Sequence, residues 1–401
     1  MKRFLLFFYS VVLTSMIAGF SACTKNIQQP IVFHSDIAPA SAVSIRSRLD
    51  EHALESTDRI IILAKTKIKQ LELSDRVIEN VDWNSSEMLE VQFKKSTLKN
   101  IIFHGSNLQK ADFRDAYLEA VDFTAVDLRE ARFDNAHLVE VTFNQTQLQE
   151  AFMSRVRCER CKIINSNLQN AMLSEAWLES TKVNNSNLSN SNLDRLFARN
   201  SEFKNNNFIT ASLNQVQIER CDFERSNLSR SKMNEAIIRD SFFRLVDFSY
   251  SSGFKAQFDN TILTASNFEQ ADFSEAIFHK SDLREVKFIE TRLIKTNFSD
   301  SNLELLVADW ANMDQASFQN SNLKKSSFKR ASLKEANLEN AILRWSVFVM
   351  ADLTEANLRL ANVHRMDLHG SNVKNTDFRA TKNFDTVLGF NKAKNIHQAR
   401  F

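Results

Sequence analysis

The chain has 401 residues, with 51 basic and 49 acidic side chains and a formal net charge of +2. That balance argues against a strongly basic nucleic-acid binder and equally against an acidic mimic of DNA. Mean hydropathy of −0.32 excludes a polytopic membrane protein. Only 5 Gly and 2 Pro stand beside 33 Phe. Chains that punctuate helices and strands with ordinary turns use several times more Gly and Pro, so this one must turn its corners by another device.

Lys2 and Arg3 precede an uncharged apolar run of 17 residues, Phe4 to Phe20. The run is short for a spanning helix and suits the h-region of an export signal. It ends in Phe20-Ser21-Ala22-Cys23. This resembles the lipobox of bacterial lipoproteins, in which small residues precede a Cys that is lipidated and becomes the new N-terminus; Phe20 stands where Leu is usual. The resemblance implies a signal peptide over 1–22 and a palmitate-type lipid anchor at Cys23. Because Thr24 follows, rather than Asp, it also implies sorting to the outer membrane of a bacterial cell envelope, facing the periplasm or the surface. An uncleaved anchor and ordinary secretion are the alternatives.

Residues 23–40 are polar, contain both Pro30 and Pro39, and read as a tether. Residues 41–80 read as a helical N-terminal cap. Ile45, Leu49, Ala53, Ile60, Ala64, Ile68 and Leu71 recur at mostly helical steps, with Ser44 as N-cap. The run Ile60-Ile61-Ile62-Leu63 also fits a short strand. Such a lid has a purpose if the next segment is a stack of repeats, whose ends expose apolar core.

From Trp83 to Phe378 the block centre stays at positions ending in 3 or 8, nearly always a large apolar residue, over sixty blocks without an insertion. Of these centres 56 are Leu, Phe, Met, Ile, Val or Trp, and two residues before each sits Ala, Ser, Thr, Val or Cys in 55 of sixty cases. The residue between is often Asn or Asp. A period of five fits neither a strand nor a helix. A chain that bends by about 90° every five residues keeps both positions on one axis, and stacked coils then pair their backbones at about 4.8 Å. Small residues are required two before the centre, because the interior has no room for a second large group. Asn and Asp between them suit tight turns.

The motif of a small residue, Asp or Asn, Leu or Phe and two free positions resembles the pentapeptide-repeat family, over about three quarters of the chain. The resemblance implies an all-β solenoid, a right-handed quadrilateral parallel β-helix. Sixty blocks make about 15 coils over 81–380, a rod of about 70 Å. Some relatives mimic DNA and protect type II topoisomerases; the export signal and near-neutral charge oppose that role here.

Residues twenty apart should stack. Phe recurs in the column through Trp83 up to Phe243 and then stops, whereas the column through Leu98 gains Phe only from Phe258. At this crossover Gly253 replaces a centre, which predicts a bulge, a void or a change of turn type. Ala198 and Ala308 are small centres matched by large Leu196 and Leu306, a swap that conserves volume. Asn206 at an inward site lacks an evident partner. Residues 381–401 read as a C-terminal cap in which the five-residue register fades, with Ala399-Arg400-Phe401 as a final block in shifted phase.

No phosphate loop or nucleophile elbow occurs, and a filled prism offers no concave pocket. The expectation is no enzyme activity, no cofactor and no metal site. Cys158, Cys161 and Cys221 fall on inward positions; Cys158 and Cys161 sit around one corner and are close enough to pair, or are simply buried thiols. His364 and His369 follow adjacent centres and project outward on different faces.

The outward columns carry more. One reads Tyr117, His137, Arg157, Trp177, Phe197, and the adjacent face adds Phe152 and Met172. These sites usually take Asn or Asp, so the strip is a candidate partner-binding surface; cover by the chain's own termini and chance are the alternatives. A second group is Trp310, Arg330 and Met350 in one column with Leu305 and Trp345 in the next, near Lys324, Lys325 and Lys329. The expectation is a non-enzymatic, membrane-anchored scaffold or protein-binding rod, with membrane and another protein as partners and no nucleic acid. A secreted effector that uses the repeat for targeting in a host cell is the alternative.

Overall fold

The computed structural model describes residues 42–54 and 60–401. The export-signal, lipobox and tether residues lie outside the described residues. A helix, α1 (Ala42–Leu54), precedes a parallel β-helix in which each backbone segment pairs with those twenty residues before and after it. Phe93 N donates to Asp112 O at 2.7 Å while Asp112 N donates to Val91 O at 2.9 Å, so each coil supplies the hydrogen bonds of its neighbours. The longest ladder is an eleven-stranded parallel sheet running from Ile61–Ile62 to Gln257–Asp259.

The centres and the small residues two before them form one continuous buried core. The aromatic ladders stack as the columns predict. Trp83 lies 5.2 Å from Phe103, and Phe103 lies 5.3 Å from Phe123 with the rings 2° from parallel. After the crossover Phe258, Phe278, Phe298 and Phe318 stack at 4.9–5.2 Å. Leu196 with Ala198, and Leu306 with Ala308, are all buried, which bears out the size swap.

The corners answer the shortage of glycine. Every corner from Lys65 to Ala380 places the residue two after the centre at positive φ, nearly always without glycine. Its N–H is held by the next coil, as in Asp75 N to Lys94 O at 2.9 Å. The Asn or Asp before the centre accepts from the backbone N–H two residues on, as Asp82 does from Asn84 at 2.8 Å and Asn107 from Gln109 at 3.1 Å. Side-chain bonds and coil-to-coil bonds together offset the left-handed conformation.

Two boundaries differ from the sequence reading. Residues 61–80 are not part of a helical cap: they form one more coil, with Ile61, Leu63, Leu71, Leu73 and Ile78 buried and Ile61–Ile62 paired to Val81 and Asp82. The strand alternative at Ile60–Leu63 is the one realised. Among the described residues the lid is α1; Ile45 and Leu49 bury against the stack, Arg46 Nε donates to Glu72 O at 3.0 Å, and Arg76 pairs with Asp50. At the other end the step widens from five residues to six. Lys382, Leu388, Lys394 and Arg400 pair with Asn362, Asp367, Asn372 and Asp377. Three short 3-10 turns, Phe384–Thr386, Phe390–Lys392 and Ile396–Gln398, absorb the extra residues. Phe401 closes this coil over Phe378 at 5.9 Å, as the shifted final block implies.

The crossover contains neither bulge nor void. Register passes through Ser252 unbroken, and the ring of Phe273 fills the space that Gly253 leaves. The strand character of one face does end there: Gln257–Asp259 is its last strand, and beyond it Ile277 pairs through isolated bridges to Gln257 and Asn297. Asn206 is fully satisfied. It takes a serine's place in an inward ladder, accepting from Ser186 N at 2.8 Å, donating to Val183 O, and offering its own N–H to Ser226 Oγ at 3.0 Å.

Candidate functional site

Five consecutive strands of the long sheet, beginning at Tyr117, His137, Arg157, Trp177 and Phe197, pair in register through those residues themselves. The sheet therefore fixes the strip at strand spacing on a rigid face. Tyr117 and His137 meet edge to face at 5.3 Å. Arg157 lies over the Trp177 ring at 5.8 Å, and Trp177 stacks on Phe197 at 4.2 Å. Trp177 remains 43% exposed.

The strip is not purely apolar. Glu159 accepts from Arg157 Nε at 2.7 Å and meets His137 Nε2 at 3.1 Å. The His137 bond, and then that of Arg157, hold its carboxyl below the ordinary glutamate range despite some burial. Tyr117 donates to Glu119 at 3.2 Å; burial first, and the Glu119 charge second, push its phenol up. One carboxylate thus fastens the upper and lower halves of the strip together.

Phe152 and Met172 pair with each other on the adjacent face and are both exposed. They flank the strip around a corner and do not continue it. Arg132, one coil before, lies 5.4 Å over the Phe152 ring. The sequence reading missed that the same column also carries exposed Val77 and Ile277, separated from the strip by polar Thr97 on one side and by Gln217 and Gln257 on the other. The signal was available in the twenty-residue spacing, but Val77 fell in the segment assigned to the cap.

The second group also assembles. Arg330 lies 4.5 Å over the Trp310 ring, and Arg344 lies 4.5 Å over Trp345, which His364 meets edge to face at 5.5 Å. Met350 and Trp310 are exposed. Cys158, Cys161 and Cys221 are buried free thiols. The hydrogen bond with Cys161, then burial, raises the Cys158 thiol well above its ordinary value; burial pushes Cys221 up to about 12. His369 bonds Asp367 at 2.6 Å. Among the described residues no cluster of His, Cys, Asp and Glu is arranged to hold a metal ion, and no helix is long and apolar enough to cross a membrane.

Comparison with known proteins matches a pentapeptide repeat region over residues 77–153 and 261–338, and pentapeptide repeats over 143–179, 153–190, 211–249 and 346–382. No match was found among curated proteins. Among solved structures the chain is similar to HetL, involved in heterocyst differentiation regulation in the cyanobacterium Nostoc, at 17% identity over 58% of this chain and 87% of that one, with a TM-score of 0.20. It is similar to QnrB1, a plasmid-mediated fluoroquinolone resistance protein, at 17% identity over 51% and 87%, with a TM-score of 0.29. A pentapeptide repeat protein of the Arabidopsis thaliana thylakoid lumen shares 30% identity over 25% of this chain and 61% of its own, with a TM-score of 0.12. With matched segments covering most of the coils and the square stack on the page, the chain belongs to the pentapeptide-repeat family of right-handed quadrilateral β-helices.

Proposed function

We propose that this protein is a non-enzymatic, membrane-anchored rod that binds another protein along the strip from Tyr117 to Phe197. The observation that carries the reading is the Trp177–Phe197 stack, which displays large aromatic surface at sites where the rod mostly shows Asn, Asp or other polar residues. Aromatics fixed on a rigid scaffold lose little conformational entropy on contact and are the usual anchors of protein interfaces. Arg157 and Glu159 add the polar surround such anchors need. The anchor rests on Phe20-Ser21-Ala22-Cys23 at the end of the apolar run. Attachment by several acyl chains holds where a single chain is marginal.

Palmitate labelling with fractionation tests the anchor. Labelling that vanishes in Cys23→Ser, together with recovery of the wild-type chain in an envelope membrane fraction, is the expected result. An unlabelled chain in the soluble fraction overturns it. The strip is tested separately, since it does not depend on where the rod is attached.

A further inference from the structure

We propose that a second face of the rod, between the corner columns of Leu305 and Trp310, docks onto an anionic phospholipid surface. The face carries Leu305, Val307 and Trp310, then Lys325, Lys329 and Arg330, then Arg344, Trp345, Val347, Val349 and Met350 in successive coils.

Leu305, Trp310, Trp345 and Met350 are corner residues at φ of 64°, 63°, 58° and 61°. Bulky side chains disfavour this region, and most corners of the rod carry polar residues instead. Leu305, Trp310 and Met350 are 43%, 54% and 53% exposed, so burial does not compensate. Residues that benefit neither backbone nor core point to a role outside folding.

Elsewhere on the rod many cations have a carboxylate two residues or one coil away, as Arg129 has Asp127 at 2.7 Å and Arg160 has Glu140 at 2.9 Å. On this face Lys325, Lys329, Arg330, Arg344 and Arg365 form no ion pair among the described residues. The carboxylates present are already engaged: Glu304 with Lys324 at 2.9 Å, Asp309 with Lys329 N at 3.0 Å, and Asp367 with His369. Burial leaves Arg344 Nε without an acceptor.

Indoles bracketed by guanidinium groups, with aliphatic side chains between them, match a headgroup boundary, where cations meet phosphates and rings sit at the level of the glycerol. Phosphates of a nucleic acid, or acidic sugars, would be served by the cations but not by Leu305, Val307, Val347, Val349 and Met350. The proposal does not require the lipid anchor; it requires only a membrane within reach.

The test uses the full chain with vesicles of phosphatidylcholine, with and without phosphatidylglycerol, each containing brominated acyl chains. Co-sedimentation reports attachment by any route. Tryptophan quenching reports docking of this face once Trp177→Phe removes the exposed indole of the other strip, because Trp83 is fully buried and Trp310→Phe with Trp345→Phe assigns the remaining signal. The expected result is quenching on anionic vesicles only. It should be lost in K325Q/K329Q/R330Q, where the intrinsic affinity of the face falls ~100-fold, about fivefold for each of the three cations removed, and it should be lost again at ~1 M salt, where screening shortens to about 3 Å. Quenching that is absent, equal on neutral vesicles, or unchanged in the triple variant overturns the proposal. Co-sedimentation without quenching leaves the anchor intact and removes this face.

Discussion

Gly253 and Phe273 occupy one space: a Cβ built on Gly253 would lie 2.1 Å from Cε1 of the fully buried Phe273 ring. The glycine is therefore a packing residue, not a turn residue. Gly253→Ala forces a core ring to move and should destabilise by about 1–3 kcal/mol, the range for overpacked cores. Thermal unfolding checks this. Phe273→Leu in the same chain should recover part of the loss, because the two substitutions act on one volume; strictly additive losses would contradict the shared space.

Asn206 is an inward polar residue whose bonds replace those of a serine. Asn206→Ser should therefore be nearly neutral, since Ser186 and Ser226 on either side already use a hydroxyl in the same ladder. Asn206→Leu removes the acceptor of Ser186 N and leaves that N–H buried and unpaired, at a cost of about 1–3 kcal/mol. Urea midpoints of the two variants distinguish the cases.

The five-residue phase was legible because both inward positions are read from residue size alone. The corner conformation was not, because residues as different as Lys65, Ala120, Trp310 and Asn340 all adopt it; hydrogen bonds from the next coil hold the corner, and side-chain type does not announce them. The coil at 61–80 was missed for a related reason. Leu63, Ile68, Leu73 and Ile78 keep the register, but Ile61 and Leu71 are large where later coils are small. α1 packs on this end in place of another coil, so the volume rule differs there. The six-residue steps after Lys382 looked like decay of the pattern because a change of period resembles noise over so few repeats. The strip was legible as a column of unusual residues. Its fastening by Glu159 was not, since that bond runs between neighbouring coils.

The three thiols should be inert in the folded chain. Raised values for Cys158 and Cys221 keep them protonated at about pH 8, where a free thiol of ordinary value near 8.5 is already reactive. Ellman's reagent should label none of Cys158, Cys161 and Cys221 before unfolding and all three after it. Labelling of Cys221 at native-state rates would contradict its burial.

Acid stability follows from the paired carboxylates. Burial pushes Asp112 up, but hydrogen bonds from the Arg114 side chain and N–H, at 2.9 and 3.0 Å, outweigh it and leave the carboxyl below its ordinary value. Asp377 is lowered chiefly by its bond with Arg379. A depressed folded value contributes stability above the unfolded value near 4 and loses it as pH falls through the folded one. The melting temperature should be level from neutral pH to about 5 and fall below about 4. Arg114→Gln should move the start of that fall to higher pH; an unchanged profile would show that the pair does not matter.

The central claim is that the Tyr117–Phe197 strip holds a protein. A photocrosslinking residue at Met172, beside the strip, with a second chain carrying it at Asn322 on a distant coil, tests this in living cells. The account predicts a discrete adduct from Met172 and none from Asn322. That adduct should fall about 30-fold in Trp177→Ala with Phe197→Ala, the effect of losing about 2 kcal/mol at an aromatic anchor, with thermal stability unchanged. No adduct from Met172, or one that survives both substitutions, would contradict it.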